Sequence, residues 1–254
     1  KRFPMPAWTR HDVDGLAVLT FTRAPQNWMN LASMTELADA LDSLGGDQSI
    51  GAVMLTGGVD GYFVAHADLD DLKLTAKGEV PEGDPEAWGR ALTSLSTMPQ
   101  PTIAAIDGQA WGGGCEIALA CTLRVASVRS HLALPEVSMG IIPGAGGTQR
   151  LPRLVGAAKA AELVLSGRRV FAEEAQQIGL VNAVLPEEGF VDAAIGWCGR
   201  ITRWPRAAVA SAKRAVLEGL QMPLEEGLRH EFRLFRELNA SDEAKRRNAN
   251  FDRP

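Results

Sequence analysis

Three consecutive glycines, Gly112, Gly113 and Gly114, stand between a strand-like run at 102–107 and an apolar helix-like run at 116–121. Glycine loses more conformational freedom on folding than any other residue, so a triplet between two regular elements implies demanding local geometry. Two readings fit it. The backbone of the helix packs tightly on a strand, or amide groups at the helix start stay free for an oxyanion, helped by the helix dipole. Two carboxylates favour the second. Glu116 lies among Ile117, Ala118 and Leu119, where an unpaired carboxylate is costly to bury, and Glu136 follows Leu134-Pro135 ahead of the glycine-rich turn Gly144-Ala145-Gly146-Gly147. Paired carboxylates serve acid–base work.

The flanking sequence alternates strand and helix signals. Apolar, β-branched runs at 16–22 (after the Asp14-Gly15 turn signal), 52–56, 102–107, 123–128, 132–134 and 180–185 predict strands. Ser33 opens S-M-T-E, a capping box with Glu36 at N3, and Leu37, Leu41 and Leu44 form an apolar face stopped by Gly45-Gly46. Further helices are predicted at 85–97, with Trp88, Leu92 and Leu95 on one face, at 157–165 and at 173–178. The segment 62–72 (YFVAHADLDDL) reads as an irregular loop, and 73–86, polar with two glycines and two prolines, as a mobile connection. Three helices complete the chain: 189–202, 205–220 and one from near Pro223 with Leu224, Leu228, Phe232 and Phe235 on one face. This order predicts an α/β core, residues 1–188, followed by a helical C-terminal region, 189–254, with no internal repeat.

Several chemistries fail on spacing. Neither glycine run gives GxGxxG, no GxxxxGK[ST] occurs, and no GxSxG elbow is present. The alternation His66, Asp68, Asp70 superficially resembles a metal cluster but lacks supporting ligands, so no metal is expected. The net charge of −5 argues against a nucleic-acid partner. Cys115, Cys121 and Cys198 form no CxxC pair and read as small buried thiols in a reducing compartment. The longest apolar runs are too short to span a membrane, and Lys1-Arg2 is followed by Pro4 and Pro6 rather than a signal-peptide core. The expectation is a soluble, cytoplasmic protein without membrane association.

Taken together, PTIAAIDGQAWGGGCEIALAC, Leu134-Pro135-Glu136, GIIPGAGGTQRLPRLVG, the GLV from Gly179 and RRNANF from Arg246 resemble the crotonase (enoyl-CoA hydratase/isomerase) superfamily over nearly the whole chain. The resemblance implies a spiral of ββα units with a helical trimerisation region, a homotrimer or dimer of trimers, and a small-molecule acyl-CoA substrate with no metal or redox cofactor. By position, Ala67 and Gly113 resemble the oxyanion-hole donors, and Glu116 and Glu136 the two glutamates of the hydratases. Ala65, His66, Asp68 and Leu69 fall where the loop meets CoA and the start of its acyl chain, with Trp111 and Gly112 beside the acyl pocket. Retention of both glutamates favours hydration of a 2-enoyl-CoA. The alternatives are Δ3-Δ2 enoyl-CoA isomerisation, and a non-catalytic acyl-CoA-binding or RNA-associated relative, which the intact glutamate pair opposes. The chain departs from the family pattern at His66 (usually small), Asp70 (often basic), Trp111 (usually aliphatic) and in a short segment between Ser241 and Arg246.

Overall fold

Residues 6–249 are described by a computed structural model. Lys1, Arg2 and Pro4, and Asn250 and Phe251 of the RRNANF motif, lie outside the described residues. Asp14 and Gly15 both take positive φ, 47° and 77°, and turn strand β1 (Trp8–Val13) back onto β2 (Leu16–Phe21). That pair of left-handed residues matches the twist of an antiparallel hairpin. β1 escapes the sequence patterns because four of its six side chains are exposed.

Helix α1 (Leu31–Gly45) starts earlier than the capping box predicts. Asn30 is the N-cap, its side chain accepting the Ser33 N–H at 3.0 Å. Ser33 is buried, and Glu36 reaches across to accept the Ala7 and Trp8 amides at 2.8 and 3.2 Å. The two side chains of the apparent box thus serve packing and strand anchoring, and an equally good cap three residues upstream takes the helix start.

From there the chain repeats one unit: a strand of a large sheet, a short strand of a small sheet, then helix. The first unit is β3 (Ala52–Gly57), β4 (Tyr62–Val64), α2 (Leu69–Ala76) and α3 (Ala87–Thr97). The second is β5 (Thr102–Ile106), β6 (Gln109–Trp111) and α4 (Gly113–Ala120). The third is β7 (Leu123–Ser127), β8 (His131–Ala133), a short 3-10 helix (Glu136–Met139), α5 (Gly147–Val155) and α6 (Ala157–Ser166). Strand β9 (Val170–Phe171), α7 (Ala172–Gln177) and β10 (Ala183–Leu185) close the spiral. The large sheet has the order β1-β2-β3-β5-β7-β10, parallel except for the hairpin. The small one has the order β4-β6-β8-β9, parallel from β4 to β8.

Residues 62–72 are therefore not an irregular loop: they contain β4 and the start of α2. A three-residue strand is too short to show alternation, and α2 buries no side chain, so neither leaves a hydrophobic period. For similar reasons β6, the two-residue β9 and α5, which carries Pro152 and buries only Gly147 and Leu151, leave no clear pattern.

One face of the large sheet packs on α1, α3 and α4 through side chains such as Leu19, Leu55, Leu37 and Leu95. The opposite face, with Leu16, Val18, Met54, Ile103 and Val125, is covered by Phe190, Ala194 and Cys198 of α8 (Phe190–Thr202). All three cysteines are buried, and burial pushes the Cys121 and Cys198 thiols up to about 12. With α8, helices α9 (Arg206–Gly219), α10 (Leu224–Asn239) and α11 (Asp242–Ala249) make four C-terminal helices among the described residues, one more than the predicted three. On α10, the predicted apolar face of Leu224, Leu228, Phe232 and Phe235 is exposed. In α11, Arg247 pairs with Glu243 at 2.7 Å and Lys245 with Asp242 at 3.6 Å.

Candidate active site

The parallel small sheet brings three chain segments to one place. Past the C-terminal end of β4 lies Ala67, past β6 lie Gly112 and Gly113, and past β8 lies Glu136. Backbone hydrogen bonds stitch these ends together: Trp111 N–H donates to Ala65 O at 3.0 Å, and Gly112 N–H to Ala133 O at 2.9 Å. The C-terminal ends of parallel strands are where open α/β sheets commonly place ligands.

Each glycine of the triplet has its own reason. Gly112 has φ of +48°, and a Cβ there would lie 3.2 Å from Glu136 Oε1. A Cβ on Gly113 would lie 2.8 Å from Trp88 Cη2 and 3.4 Å from the Ala67 nitrogen. A Cβ on Gly114 would overlap the Val64 carbonyl of β4. Tight packing thus accounts for Gly114, and the approach of Ala67 for Gly113. Among the described residues neither the Ala67 nor the Gly113 N–H finds an acceptor.

The packing half of this statement is testable. Gly114→Ala should destabilise the protein by about 3 kcal/mol or more, since it overpacks against backbone, which corresponds to a Tm lowered by roughly 6–12 °C. Gly196→Ala in α8, where a Cβ meets nothing within 4 Å, should leave Tm unchanged or raised. Equal melting temperatures for the two variants would contradict this account.

Both glutamates are buried, 3% exposed for Glu116 and 7% for Glu136, but their surroundings differ. Glu116 Oε1 accepts the Ala145 and Gly147 amides at 2.7 and 2.8 Å. Burial raises its pKa, while those two N–H donors and the nearby Arg150 pull the other way. Glu136 Oε2 is buried without a hydrogen-bond partner among the described residues. Its carboxyl is pushed up to about 7, first by burial and, after an opposing backbone hydrogen bond, by the Glu116 charge. Donors to the charged form favour ionisation, so the environment separates the two groups in kind.

The glutamates, Ala67, Gly112 and Gly113 line a single cavity of about 930 Å³, with His66, Asp68, Leu69 and Trp111 also on its wall. Ala65 is buried behind it, its carbonyl engaged by Trp111. Asp68 caps α2 by accepting the Asp70 N–H at 2.9 Å and pairs with Arg23 at 2.7 Å, which sets the course of the loop around Ala67. The His66 ring stacks on Trp28 at 5.3 Å, with Nδ1 2.6 Å from Ala67 O. Trp111 donates its indole N–H to His131 Nδ1 at 2.8 Å and carries the Arg169 guanidinium 4.5 Å over its ring. Asp70, outside the cavity wall, pairs with Lys73 at 2.8 Å.

The sequence reading missed the residues that hold Glu116. Ala145 and Gly147 belong to the second glycine turn, and a Cβ on Gly147 would lie 3.1 Å from Glu116 Oε1. Arg150 braces the same turn by donating to Ala145 O at 2.9 Å. The available signal was that turn itself, as glycine-rich as the triplet and starting eight residues after Glu136.

The enoyl-CoA hydratase/isomerase family model matches residues 12–252. The chain belongs to the enoyl-CoA hydratase/isomerase family. A 2,3-dehydroadipyl-CoA hydratase of Escherichia coli K12 is 36% identical over 228 residues, covering 89% of this chain and 88% of the relative. The mitochondrial enoyl-CoA hydratase of Pongo abelii is 38% identical over 211 residues, covering 83% and 71%. Among solved structures, the enoyl-CoA hydratase of Mycobacterium tuberculosis H37Rv superposes with a TM-score of 0.84 at 35% identity, covering 95% of this chain and 93% of that one. Membership in this family, and with it in the crotonase superfamily, agrees with the ββα spiral and helical C-terminal region that the sequence resemblance implies. Among the described residues no helix is long and apolar enough to cross a membrane.

Proposed function

We propose that the protein is an enoyl-CoA hydratase that adds water across the C2=C3 bond of a 2-enoyl-CoA to give a 3-hydroxyacyl-CoA. The observation that carries this reading is the asymmetric pair of buried glutamates on one cavity, one held by two amides and one with an unpartnered oxygen. Glu116, its carboxylate held by the Ala145 and Gly147 amides, takes a proton from water as the hydroxide forms its bond to C3. The C2=C3 electrons move toward the thioester carbonyl, whose oxygen becomes an enolate stabilised by the Ala67 and Gly113 N–H groups. Each such donor is worth on the order of 3 kcal/mol. Glu136, protonated near neutrality, then delivers its proton to C2, and proton exchange between the carboxyls and solvent restores the starting state. His66, Asp68, Leu69, Trp111 and Gly112 shape the acyl-CoA site, with Ala65 supporting the loop from behind.

No metal or redox cofactor enters these steps. Association of copies into a trimer or pair of trimers belongs to the same reading, and the exposed apolar face of α10 supports it. Incubation with crotonyl-CoA, followed by loss of absorbance of the conjugated thioester, tests the reaction. No loss there, with conversion of a 3-enoyl-CoA to its conjugated isomer, would replace hydration by isomerisation.

The pH profile carries its own test. Because the Glu136 carboxyl is raised to about 7 and acts in its protonated form, kcat/KM, which reports the free enzyme, should fall as pH rises through about 7, approaching tenfold per unit above it. A rate that instead climbs between pH 7 and 9 would remove Glu136 as the acid.

A further inference from the structure

We infer that the acyl group taken by this cavity is uncharged, apolar and longer than crotonyl, and that acyl chains ending in a carboxylate are excluded. The inference rests on the reading above only in placing the thioester at Ala67 and Gly113.

Trp88 touches the Gly113 position, and from it the cavity wall continues to Leu31, Leu72, Val80, Pro81 and Leu92. These side chains come from α1, α2, α3 and the segment between α2 and α3, so the acyl chain leaves the reacting carbons along apolar surface. Leu72 and Val80 are 37% and 68% exposed, and this wall gives them no apolar cover of their own. Apolar burial contributes about fourfold in affinity for each methylene enclosed.

The charges on this wall have one sign. Asp71 and Glu79 are the ionisable groups there. Asp71 is fixed in place by the Leu31 N–H at 2.6 Å, and Glu79 has no ion-pair partner among the described residues. Arg150 is the one Lys or Arg on the described cavity wall, and its guanidinium is held on Ala145 O beside Glu116, at the reacting end. A second carboxylate at the far end of an acyl chain therefore meets two acids, an apolar wall and no cation. There it faces like charge with no counter-ion among the described residues of the wall, which discriminates between ligands of equal length. The E. coli relative is a 2,3-dehydroadipyl-CoA hydratase, and its six-carbon dicarboxylic acyl group provides a matched probe.

Binding of hexanoyl-CoA and adipyl-CoA, measured by calorimetry on the intact protein, reads this selection without turnover. Hexanoyl-CoA should bind at least tenfold more tightly, and 2-hexenoyl-CoA should exceed both crotonyl-CoA and 2,3-dehydroadipyl-CoA in kcat/KM. Equal binding of hexanoyl- and adipyl-CoA would overturn the inference. Selective binding without hydration of any enoyl-CoA would uphold it and sink the hydratase reading instead. Glu79→Lys should shift the adipyl-to-hexanoyl affinity ratio toward adipyl by about tenfold, as expected for reversing one charge at a few ångströms in a solvated site. If neither Glu79→Lys nor Asp71→Asn moves that ratio, the two acids are not the selecting groups and the inference falls.

Discussion

Replacing Glu136 by glutamine is expected to lower kcat for crotonyl-CoA hydration by about 10²- to 10⁴-fold, the usual contribution of a positioned general acid. KM should change little. The reason lies in the carboxyl's surroundings. It is buried, raised to about 7, and has one oxygen with no hydrogen-bond partner among the described residues. Glutamine keeps the shape and removes the transferable proton. Glu116→Gln should cost a similar factor while still accepting the Ala145 and Gly147 amides through its carbonyl oxygen, so its melting temperature should hold. The double variant should be little worse than either single one, because the two groups act on one water and one substrate. A Glu136→Gln enzyme hydrating crotonyl-CoA at the full rate would refute the assigned roles.

The second large effect is expected at Gly113. A methyl there meets Trp88 Cη2 at 2.8 Å, Ala67 Cβ at 3.2 Å and the Ala67 nitrogen at 3.4 Å. Trp88 or the Ala67 loop must move, and either displacement disturbs the approach of the two amides. Loss of one oxyanion donor costs about 10²–10³ in kcat, so Gly113→Ala should fall in that range with a smaller loss of stability than Gly114→Ala. Adding Trp88→Phe separates the two causes. Recovery of activity would mean that the indole had been the obstacle, and no recovery that the Ala67 donor had been displaced. Gly113→Ala with unaltered kcat would remove Gly113 from the oxyanion hole.

Strong local signals in the chain translated directly into structure. Buried strands such as β3 and β5 are continuous apolar runs because both faces of the large sheet are covered. Helices α6 and α8 end or begin at glycines with positive φ, Gly167 and Gly189, close to where composition places them. The two glutamates and the glycine triplet are legible for a related reason: a carboxylate in an apolar helix and three glycines in a row each violate local preference, and such violations gather where function overrides packing.

Other features leave no such trace. Strands β4 and β6 are three residues each, shorter than one alternation can reveal, yet with β8, which the apolar run at 132–134 predicts, their parallel pairing is what brings Ala67, Gly113 and Glu136 together. The capping box misplaces the start of α1 because Asn30 and Ser33 are both good caps, and only the contact of Glu36 with the Ala7 and Trp8 amides decides between them. The difference between the glutamates is likewise invisible in sequence. Both are single carboxylates in apolar surroundings, and what sets them apart is that the turn around Ala145 and Gly147 folds onto Glu116 and not onto Glu136. The sequence by itself determined which residues are out of place locally and which family they resemble, because propensity and motif act over a few neighbours. Only the tertiary structure decided which amides face which carboxylate, because those partners lie some thirty residues apart along the chain and meet only through the small sheet and the turn packed on it.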